Sequence, residues 1–360
     1  MCENWAVTSI VSLTTYPVSL PLLRPFVTAV RRAETIDVMM VEVRDAAGRV
    51  GLGEAVTGVV TGETAQSVRA AIDGPLATRV VGREPDDLCA AGQLRAVAPG
   101  AAAARSGVDC AVHDLVAQAR GVTMAALLGA TTHRVRTDMS LSADEPAAMA
   151  SLAEGYVNQG FDTLKLKVDQ HHDALAVISA VRAAVGPQVA LRVDANQAWT
   201  PAQAIAFIRA CEDGGYALEF VEQPVAAADI TGLAAVRAAT STPIMADESA
   251  KTAADVARVI EAGAADLISV KLAKCGGLAE AKAIIGRVHA AGLGVIIGCM
   301  MESPVGVAAA AALAAATAPG QTHDLDAPLW LAPSVQAEFA GQARFSGPNI
   351  DLDGRACIQA

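Results

Sequence analysis

Three acidic residues end three successive apolar runs of this chain, each of which has the composition of a β-strand. Asp194, Glu222 and Asp247 stand 28 and 25 residues apart. Carboxylates that converge on one site raise one another's pKa, so they stay ionised together only beside a cation. A set of oxygen ligands favours a hard ion, with Mg²⁺ ahead of Mn²⁺. The three acids therefore predict a divalent metal site, although any one of them alone could simply cap the helix that follows.

Three lysines flank these acids and could move protons. Lys165 and Lys167 alternate with Leu166 on one predicted strand, so both side chains point to the same face. Lys271 ends the strand three units past Asp194, on the opposite side of a closed sheet. Two opposed lysines could remove a proton from one face of a metal-bound substrate and return it to the other, if burial and neighbouring positive charge lower their pKa towards neutrality. Solvated lysines at the surface are the alternative.

These residues share one position in a repeating pattern, in which an apolar run ends in a polar residue and an Ala-rich helical stretch follows. The pattern recurs at Lys165/Lys167, Asp194, Glu222, Asp247, Lys271, Gly298 and Asp324/Asp326. A repeat of roughly 24 to 29 residues with one strand and one helix is typical of a (β/α) barrel, whose active site forms at the C-terminal ends of the strands. The predicted fold class is therefore α/β, with a barrel that turns these polar residues towards one pocket.

The chain is longer than such a barrel. It has 360 residues, against roughly 200 to 250 for the barrel alone. We predict an α+β capping domain at 1–130, the barrel at 131–326, and a C-terminal segment at 327–360 that packs back on the capping domain.

The capping domain is predicted to contain two long loops. Its strands are expected at 5–14, 36–44 and 49–55, and its helices at 63–81, 86–96 and 101–120. The Pro-rich stretch from Tyr16 to Arg32 and the stretch from Thr57 to Gly62 are predicted as loops. Long loops inside compact proteins are usually functional or disordered, so these two are the candidates to contact a ligand.

Composition argues against several classes of partner. The net charge of −11 disfavours a nucleic-acid surface, which needs basic patches to meet phosphate. The run from Val305 to Pro319 is almost all Ala and Val, but it is shorter than the roughly 20 residues of a membrane span. It predicts a buried helix of the barrel. We therefore expect neither nucleic acid nor a membrane as partner, whereas an anionic small substrate is compatible with local lysines or a metal.

The cysteines and histidines exclude other site chemistries. Seven cysteines are dispersed along the chain without a CxxC pair, which is typical of a reduced, cytoplasmic protein. The N-terminus has no basic segment followed by an apolar one, so no signal peptide is predicted. The six histidines have no HxH or HExxH spacing, which excludes metal-dependent hydrolysis on a His-rich barrel.

Several motifs together resemble the enolase superfamily, in its muconate-lactonizing-enzyme subgroup. They are Lys165-Leu166-Lys167, Asp194-Ala195-Asn196-Gln197, Glu222-Gln223-Pro224, Ala246-Asp247-Glu248-Ser249, and Lys271 with Gly276-Gly277. The resemblance covers nearly the whole chain, including the capping domain. It implies a modified TIM barrel and a metal-bound carboxylate substrate, whose α-proton is abstracted to give an enediolate stabilised by Mg²⁺.

The resemblance also implies roles for individual residues. The metal ligands would be Asp194, Glu222 and Asp247. The acid/base pair would be Lys167 and Lys271, with Lys165 helping to neutralise the substrate carboxylate. The segment from Gly298 to Met300 contains no His, which disfavours the mandelate-racemase branch.

Two further features are similar to dipeptide epimerases. The pair Asp324 and Asp326 resembles the Asp-x-Asp motif that holds a substrate ammonium, although Asp324 could be only a helix cap. The stretch from Pro25 to Arg31 resembles the loop of L-Ala-D/L-Glu epimerases, in which the matching Arg31 meets the glutamate side chain. The adjacent Arg32 could make this contact instead, so the choice between the two arginines stays open. The resemblance also implies substrate contacts at Ser140 and Met301.

Three functions remain open from the sequence. The first is an isomerase that epimerises a dipeptide, most simply L-Ala-D/L-Glu, with Mg²⁺ or a substituting Mn²⁺, as a homo-oligomer. The second is an N-acylamino-acid racemase, an o-succinylbenzoate synthase or a muconate cycloisomerase, whose substrates offer no ammonium to the acidic pair. The third is a non-catalytic binding protein of barrel fold, which has no use for two opposed lysines.

Overall fold

The computed structural model of this chain describes residues 8–29, 32–58, 60–90, 93–169, 171–339 and 343–352. Its N-terminal half opens with an antiparallel sheet in the order β1-β2-β3. The strands are β1 Ile10–Val27, β2 Arg32–Asp45 and β3 Val50–Val56. The helices that follow are α1 Ala65–Ala71, α2 Ala77–Val80, α3 Pro85–Ala90, α4 Ala102–Ala119 and α5 Met124–Leu127, with a π-helical turn at Ile72–Leu76.

The prediction of a loop from Tyr16 to Arg32 is wrong, because most of this stretch continues strand β1. β1 forms an edge of this three-stranded sheet, in which it pairs with β2. Pro17 and Pro21 are four residues apart, so their nitrogens face the same side of the strand. On an edge strand, a missing N–H on the outer side removes no hydrogen bond from the ladder. The prolines therefore mark a protected sheet edge rather than a loop.

Helix α4 forms the core of the N-terminal half. Fifteen of its 18 residues are buried, so it contacts other elements all round. It lies very close to β3, since a Cβ on Gly51 would fall 2.1 Å from the Ala111 carbonyl oxygen and one on Gly53 would fall 2.0 Å from the Gly107 carbonyl oxygen. Glycine is required at both positions for this backbone approach. This packing fixes β3 against the rest of the protein.

The rest of the chain forms the predicted barrel. The strands that build it are β4 Arg134–Thr137, β5 Met139–Leu141, β6 Thr163–Lys167, β7 Ala190–Asp194, β8 Leu218–Glu222, β9 Ile244–Ala246, β10 Leu267–Lys271, β11 Gly294–Gly298 and β12 Thr322–His323. Strands β5 to β11 pair in parallel in sequence order. Asp324 bridges to Gly298, and β12 pairs with β4, which leads directly into β5. The sheet therefore closes, and the predicted α/β class with an α+β capping domain is confirmed.

Helices cover the outside of the sheet. They are α6 Pro146–Asn158, α7 Ala174–Val185, α8 Pro201–Asp213, α9 Ile230–Ala239, α10 Ala253–Glu261, α11 Leu272–Cys275, α12 Leu278–Ala290 and α13 Pro304–Thr317. Thr200 and Thr252 begin α8 and α10 with capping boxes, which satisfy N–H groups at the helix start. Helix α13 is the predicted Ala-rich buried helix. Within the described ranges, no helix is both long and apolar enough to cross a membrane.

The C-terminal segment contacts both halves of the molecule. It contains a 3₁₀ turn Ala327–Trp330, α14 Pro333–Glu338, β13 Arg344–Ser346 and β14 Asn349–Asp351. Strand β14 pairs with β4 at the start of the barrel, while Leu331 bridges to Leu22 of β1. The Trp330 ring packs edge-on against Phe26, with 5.0 Å between ring centroids. The domain boundaries at 130/131 and 326/327 stay predictions.

Candidate active site

The strand ends bring the predicted reactive residues to one end of the barrel. Lys167, Asp194, Glu222 and Lys271 are the last residues of β6, β7, β8 and β10, and Asp247 directly follows β9. The register places Lys167 beside Asp194, and Asp194 beside Glu222. All five residues are at most 7% exposed. The sequence repeat and the closed parallel sheet together explain why charges so far apart in sequence meet here.

Lys165 connects three carboxylates at the centre of this cluster. Its Nζ lies 3.2 Å from Asp194 Oδ2, 2.5 Å from Glu222 Oε2 and 2.8 Å from Asp324 Oδ2. Burial by itself lowers the pKa of Lys165, but the surrounding carboxylates outweigh it and hold the pKa well above its ordinary value. Lys165 therefore stays a cation at neutral pH.

Lys167 and Lys271 hold different carboxylates on different sides of the barrel. Lys167 Nζ donates a hydrogen bond to Asp194 Oδ2 at 2.6 Å, and Lys271 Nζ donates one to Asp247 Oδ2 at 3.1 Å. Strands β7, β8 and β9 separate the two lysine-bearing strands. Burial lowers the pKa of Lys271, but Asp247 and Glu222 raise it above its ordinary value. With only the protein's own charges around it, Lys271 therefore does not show the predicted lowering of its pKa.

The acids around Glu222 have the character of a cation site. Burial and the Asp194 charge raise the pKa of Glu222 to about 7. In the described part of the chain, neither Glu222 oxygen makes a hydrogen bond of good geometry, despite the ion pair with Lys165. Glu248 Oε2 and Asn196 Oδ1 are also buried acceptors that lack a donor there. Buried acceptors without donors are costly, so this oxygen-only set fits a bound divalent ion such as Mg²⁺.

A second acidic group lies beside the first. Among the described residues, ligand atoms of Asp138, Asp324 and Asp326 lie within 4.8 Å of one another, whereas the predicted metal ligands have lysine nitrogens between them. Arg192 donates to Asp138 at 2.7 Å, and Ser140 N donates to Asp326 at 2.8 Å. Protein donors thus bind one oxygen of Asp138 and one of Asp326, although Asp138 Oδ1 is a buried acceptor without a donor among the described residues. Glu222 differs because neither of its two oxygens has such a donor.

One cavity lies between the N-terminal half and the end of the barrel. The residues that line it from the N-terminal half are Phe26, Thr28 and Val60. The predicted site residues that line it from the barrel are Ser140, Lys167, Asp247, Lys271, Met301, Asp324 and Asp326. Lys165, Asp194 and Glu222 each lie within 4.0 Å of one of these residues.

The predicted arginine is the one site residue that the described ranges leave out. Arg31 lies outside them. Its neighbour Arg32 is exposed and pairs with Glu34 at 3.3 Å, so Arg32 does not contribute to the cavity.

Two cationic residues near the site were not predicted from the sequence. Lys274 is buried and contacts Asp247 Oδ1, and its Nζ also donates to the Asp247 carbonyl oxygen at 2.9 Å. Lys274 could have been noticed as a second lysine in the otherwise apolar stretch KLAKC. Arg24 stacks 4.3 Å from the ring centroid of Trp330 and 5.3 Å from that of Tyr156. Arg24 falls in the stretch that the prolines had suggested was a loop, so its side chain had no predicted face.

The backbone is strained one or two residues after two of the predicted metal ligands. Asn196 and Gln223 have φ values of 43° and 37°, in the left-handed region that side chains disfavour. Such strain persists where surrounding contacts hold it, and it clusters at functional sites. Asn196 N donates to Asp194 Oδ1 at 2.9 Å, and Gln223 Oε1 accepts from Asp247 N at 3.0 Å. Asn196 thus orients the carboxylate of Asp194, and Gln223 fixes the backbone of Asp247.

Two family models together match most of this chain, and curated relatives match it over nearly its whole length. Residues 10–129 match the N-terminal domain of the mandelate racemase/muconate lactonizing enzyme family, and residues 148–352 match the enolase C-terminal domain-like family. The L-Ala-D/L-Glu epimerase of Bacillus subtilis (strain 168) is 38% identical over 350 residues, which are 96% of this chain and 95% of that protein.

Two solved structures have the same architecture. The substrate-liganded complex of the Bacillus subtilis L-Ala-D/L-Glu epimerase has a TM-score of 0.92 and 36% identity, with 98% of each chain covered. The dipeptide epimerase of Enterococcus faecalis V583, complexed with Mg and L-Leu-L-Tyr, has a TM-score of 0.90 and 37% identity, with 97% of this chain and 98% of that chain covered. This chain therefore belongs to the mandelate racemase/muconate lactonizing enzyme family of the enolase superfamily, and to its dipeptide epimerases.

Proposed function

We propose that this dipeptide epimerase acts on L-Ala-D/L-Glu and uses Lys167 and Lys271 as its two bases. The observation that carries the proposal is that the two lysines reach one cavity from β6 and β10, with three strands between them. A substrate α-carbon held between them loses its proton to the amine on one side. It regains a proton from the ammonium on the other side, which inverts its configuration. The two lysines exchange roles for the opposite epimer.

Mg²⁺ is the proposed cofactor, held by Asp194, Glu222 and Asp247. When bound, the ion supplies positive charge for the substrate carboxylate as negative charge develops there, and it offsets the carboxylates around the lysines. Lys165 adds a fixed positive charge beside it, because three carboxylates keep this lysine protonated. Mn²⁺ is a proposed substitute, since it also accepts oxygen ligands.

Asp324 and Asp326 are the proposed binding site for the substrate ammonium. Both line the cavity. Burial raises the pKa of Asp324, but Lys165 and Lys271 more than offset this and leave it below its ordinary value. Burial and the Asp324 charge raise the pKa of Asp326, so Asp324 is the more strongly ionised member of the pair. An ionised buried carboxylate is a strong acceptor for an ammonium group. This favours a dipeptide over an N-acylated amino acid, which has no ammonium.

Preference for an acidic second residue rests on one of two arginines. Arg31 stays the candidate from the sequence. Arg24 is a second candidate, because it is half-buried and stacks on Trp330, whose Nε1 donates to Asp326 at 3.1 Å in the cavity wall. Burial lowers the pKa of Arg24, and nearby Asp326 opposes this.

Single arginine replacements test this preference. We expect Arg31→Leu or Arg24→Leu to lower kcat/KM for L-Ala-L-Glu about tenfold or more, because removing a paired charge from a closed site costs roughly 2 to 5 kcal/mol. The same variant should spare L-Ala-L-Leu, which has no second carboxylate to lose a partner. Arg32→Leu is the matched control, since Arg32 pairs with Glu34 at the surface. A wild-type preference for L-Ala-L-Leu or for N-acylated amino acids would contradict the Ala-Glu assignment and leave the family assignment intact.

The acidic pair makes a different prediction. Asp326→Asn should lower kcat/KM for L-Ala-L-Glu and L-Ala-L-Leu alike, because both dipeptides carry the same ammonium. Asparagine keeps an oxygen for the Ser140 and Trp330 donors that Asp326 now binds, so the wall of the cavity should stay in place. Steady-state kinetics with both dipeptides measures the effect. An N-succinylated amino acid, if turned over at all, should be unaffected, and an equal loss with that substrate would show that Asp326 does not bind the ammonium.

A further inference from the structure

Two buried glutamates that the proposed reaction does not use face each other between the halves of the molecule. Glu54 lies on β3 and Glu302 follows β11, and each is 4% exposed. Gly306 of α13 shows how closely they approach. A Cβ at this position would lie 2.6 Å from Glu302 Oε2 and 3.2 Å from Glu54 Oε1. Glycine therefore leaves the space that the two carboxyl groups fill.

Glu54 binds the first turn of helix α13. Ser303, the N-cap residue of this helix, donates its N–H to the two Glu54 oxygens at 3.1 and 3.2 Å, and its hydroxyl also donates to Oε2. The Gly306 N–H donates to Glu54 as well. These are N–H groups that a helix leaves unpaired at its start. A side chain of the N-terminal half thus accepts the N–H groups at the start of a barrel helix.

Glu302 fixes the loop that precedes this helix. Its Oε1 accepts the Met300 N–H at 2.7 Å. Met300 and the adjacent Met301 line the substrate cavity. The two glutamates together therefore tie the substrate-lining loop Cys299–Ser303 to strand β3.

We propose that Glu54 is a positioning residue for epimerisation, and that it holds the loop Cys299–Ser303 against the cavity through helix α13 and a carboxyl pair with Glu302. While one of the two neighbouring carboxyl groups is protonated, they do not repel each other. When that proton leaves, two buried carboxylates repel and the contact between β3 and the loop weakens. The effect on turnover rests on the proposed function, whereas the contact itself does not.

The surroundings support one bound proton on this pair at neutral pH. Burial and the Glu302 charge raise the pKa of Glu54 to about 8, and burial raises the pKa of Glu302 to about 7. The other titratable groups that face the pair are Lys271 of β10, Cys110 of α4 and Cys299 of the loop. Lys271 opposes the rise for Glu302 without cancelling it.

Thermal unfolding tests the carboxyl pair without any substrate. Both pKa values lie above the ordinary 4.5, so the stability from these groups is fully present below about pH 4.5 and is lost as the pH rises through about 7 to 8. We expect the melting temperature to fall from pH 6 to pH 9 by roughly 2 °C or more further in the wild type than in Glu302→Gln, which mimics the protonated acid. Glu34→Gln, at an exposed position, is the control. Equal falls in the wild type and Glu302→Gln would overturn the carboxyl pair.

Kinetics at pH 7 tests the positioning role. Glu54→Ala should raise KM for L-Ala-L-Glu about tenfold and change kcat less than about twofold, because the loop lines the cavity but contains neither of the proposed bases. Glu54→Gln keeps one acceptor oxygen for Ser303 and should restore KM to near the wild-type value. An unchanged KM in Glu54→Ala, or equal impairment in Glu54→Gln, would overturn the proposal. If the wild type turns over no dipeptide, the proposed function fails, and the unfolding experiment alone decides whether the carboxyl pair exists.

Discussion

Lys167→Ala and Lys271→Ala should each stop epimerisation but retain exchange of the substrate α-proton on one face. Loss of one general acid/base should cost roughly 10²- to 10⁴-fold in turnover. Each variant should still exchange the α-proton of one dipeptide epimer for solvent deuterium, because removal from one face needs only the lysine on that face. The two variants should act on opposite epimers, since the lysines approach the cavity from β6 and from β10. Loss of the α-proton NMR signal of L-Ala-L-Glu and L-Ala-D-Glu in D₂O measures both exchanges.

The surroundings of these lysines protect the fold in both variants. Without Lys167, Asp194 keeps the ion pair with Lys165 at 3.2 Å. Without Lys271, Asp247 keeps its contacts with Lys274. Circular dichroism should therefore match the wild type, and exposed Lys282→Ala should be fully active. Exchange of both epimers by a single variant, or epimerisation near the wild-type rate, would rule out the two-base assignment.

Glu222→Gln should abolish both divalent-ion binding and turnover without unfolding the protein. Glu222 is buried, and in the described part of the chain its oxygens lack hydrogen bonds of good geometry. Its carboxylate therefore contributes little to the fold apart from its ion pairs with Lys165 and Lys271. Loss of a bound cation removes several kcal/mol of charge stabilisation, which corresponds to roughly 10³-fold or more in turnover. Calorimetric titration with Mg²⁺ measures binding independently of activity. Asp194→Asn should behave in the same way.

The second acidic group provides the control. Asp138→Asn keeps an oxygen for Arg192, which now donates to Asp138 at 2.7 Å, and it should leave Mg²⁺ binding near the wild-type level. Chelation should stop turnover, and added Mg²⁺ should restore it. Full activity after exhaustive chelation would contradict the metal requirement. Loss of binding in Asp138→Asn with binding retained in Glu222→Gln would place the ion at the second group.

The residue order along the chain was enough to predict the barrel and the face on which its reactive residues would lie. Each strand–helix unit ends its strand in a polar residue, and parallel strands present these ends at one edge. Lys167, Asp194, Glu222, Asp247 and Lys271 could therefore be chosen without coordinates. The buried Ala-rich helix α13 followed from local composition in the same way. These features depend on patterns within a single repeat unit, which a sequence displays directly.

Tertiary structure alone decided how the charges are paired and which strand the prolines occupy. Ser303 and Glu54 are 249 residues apart, and Lys165 and Asp324 are 159 apart, so no local pattern connects them. Closure of the sheet and docking of β3 on α13 create both contacts. Whether a buried lysine has a raised or a lowered pKa depends on distances to several carboxylates at once, which is why the expected fall for Lys271 was not found. Pro17 and Pro21 suggested a loop, and only the position of β1 at the sheet edge explains why a strand tolerates them.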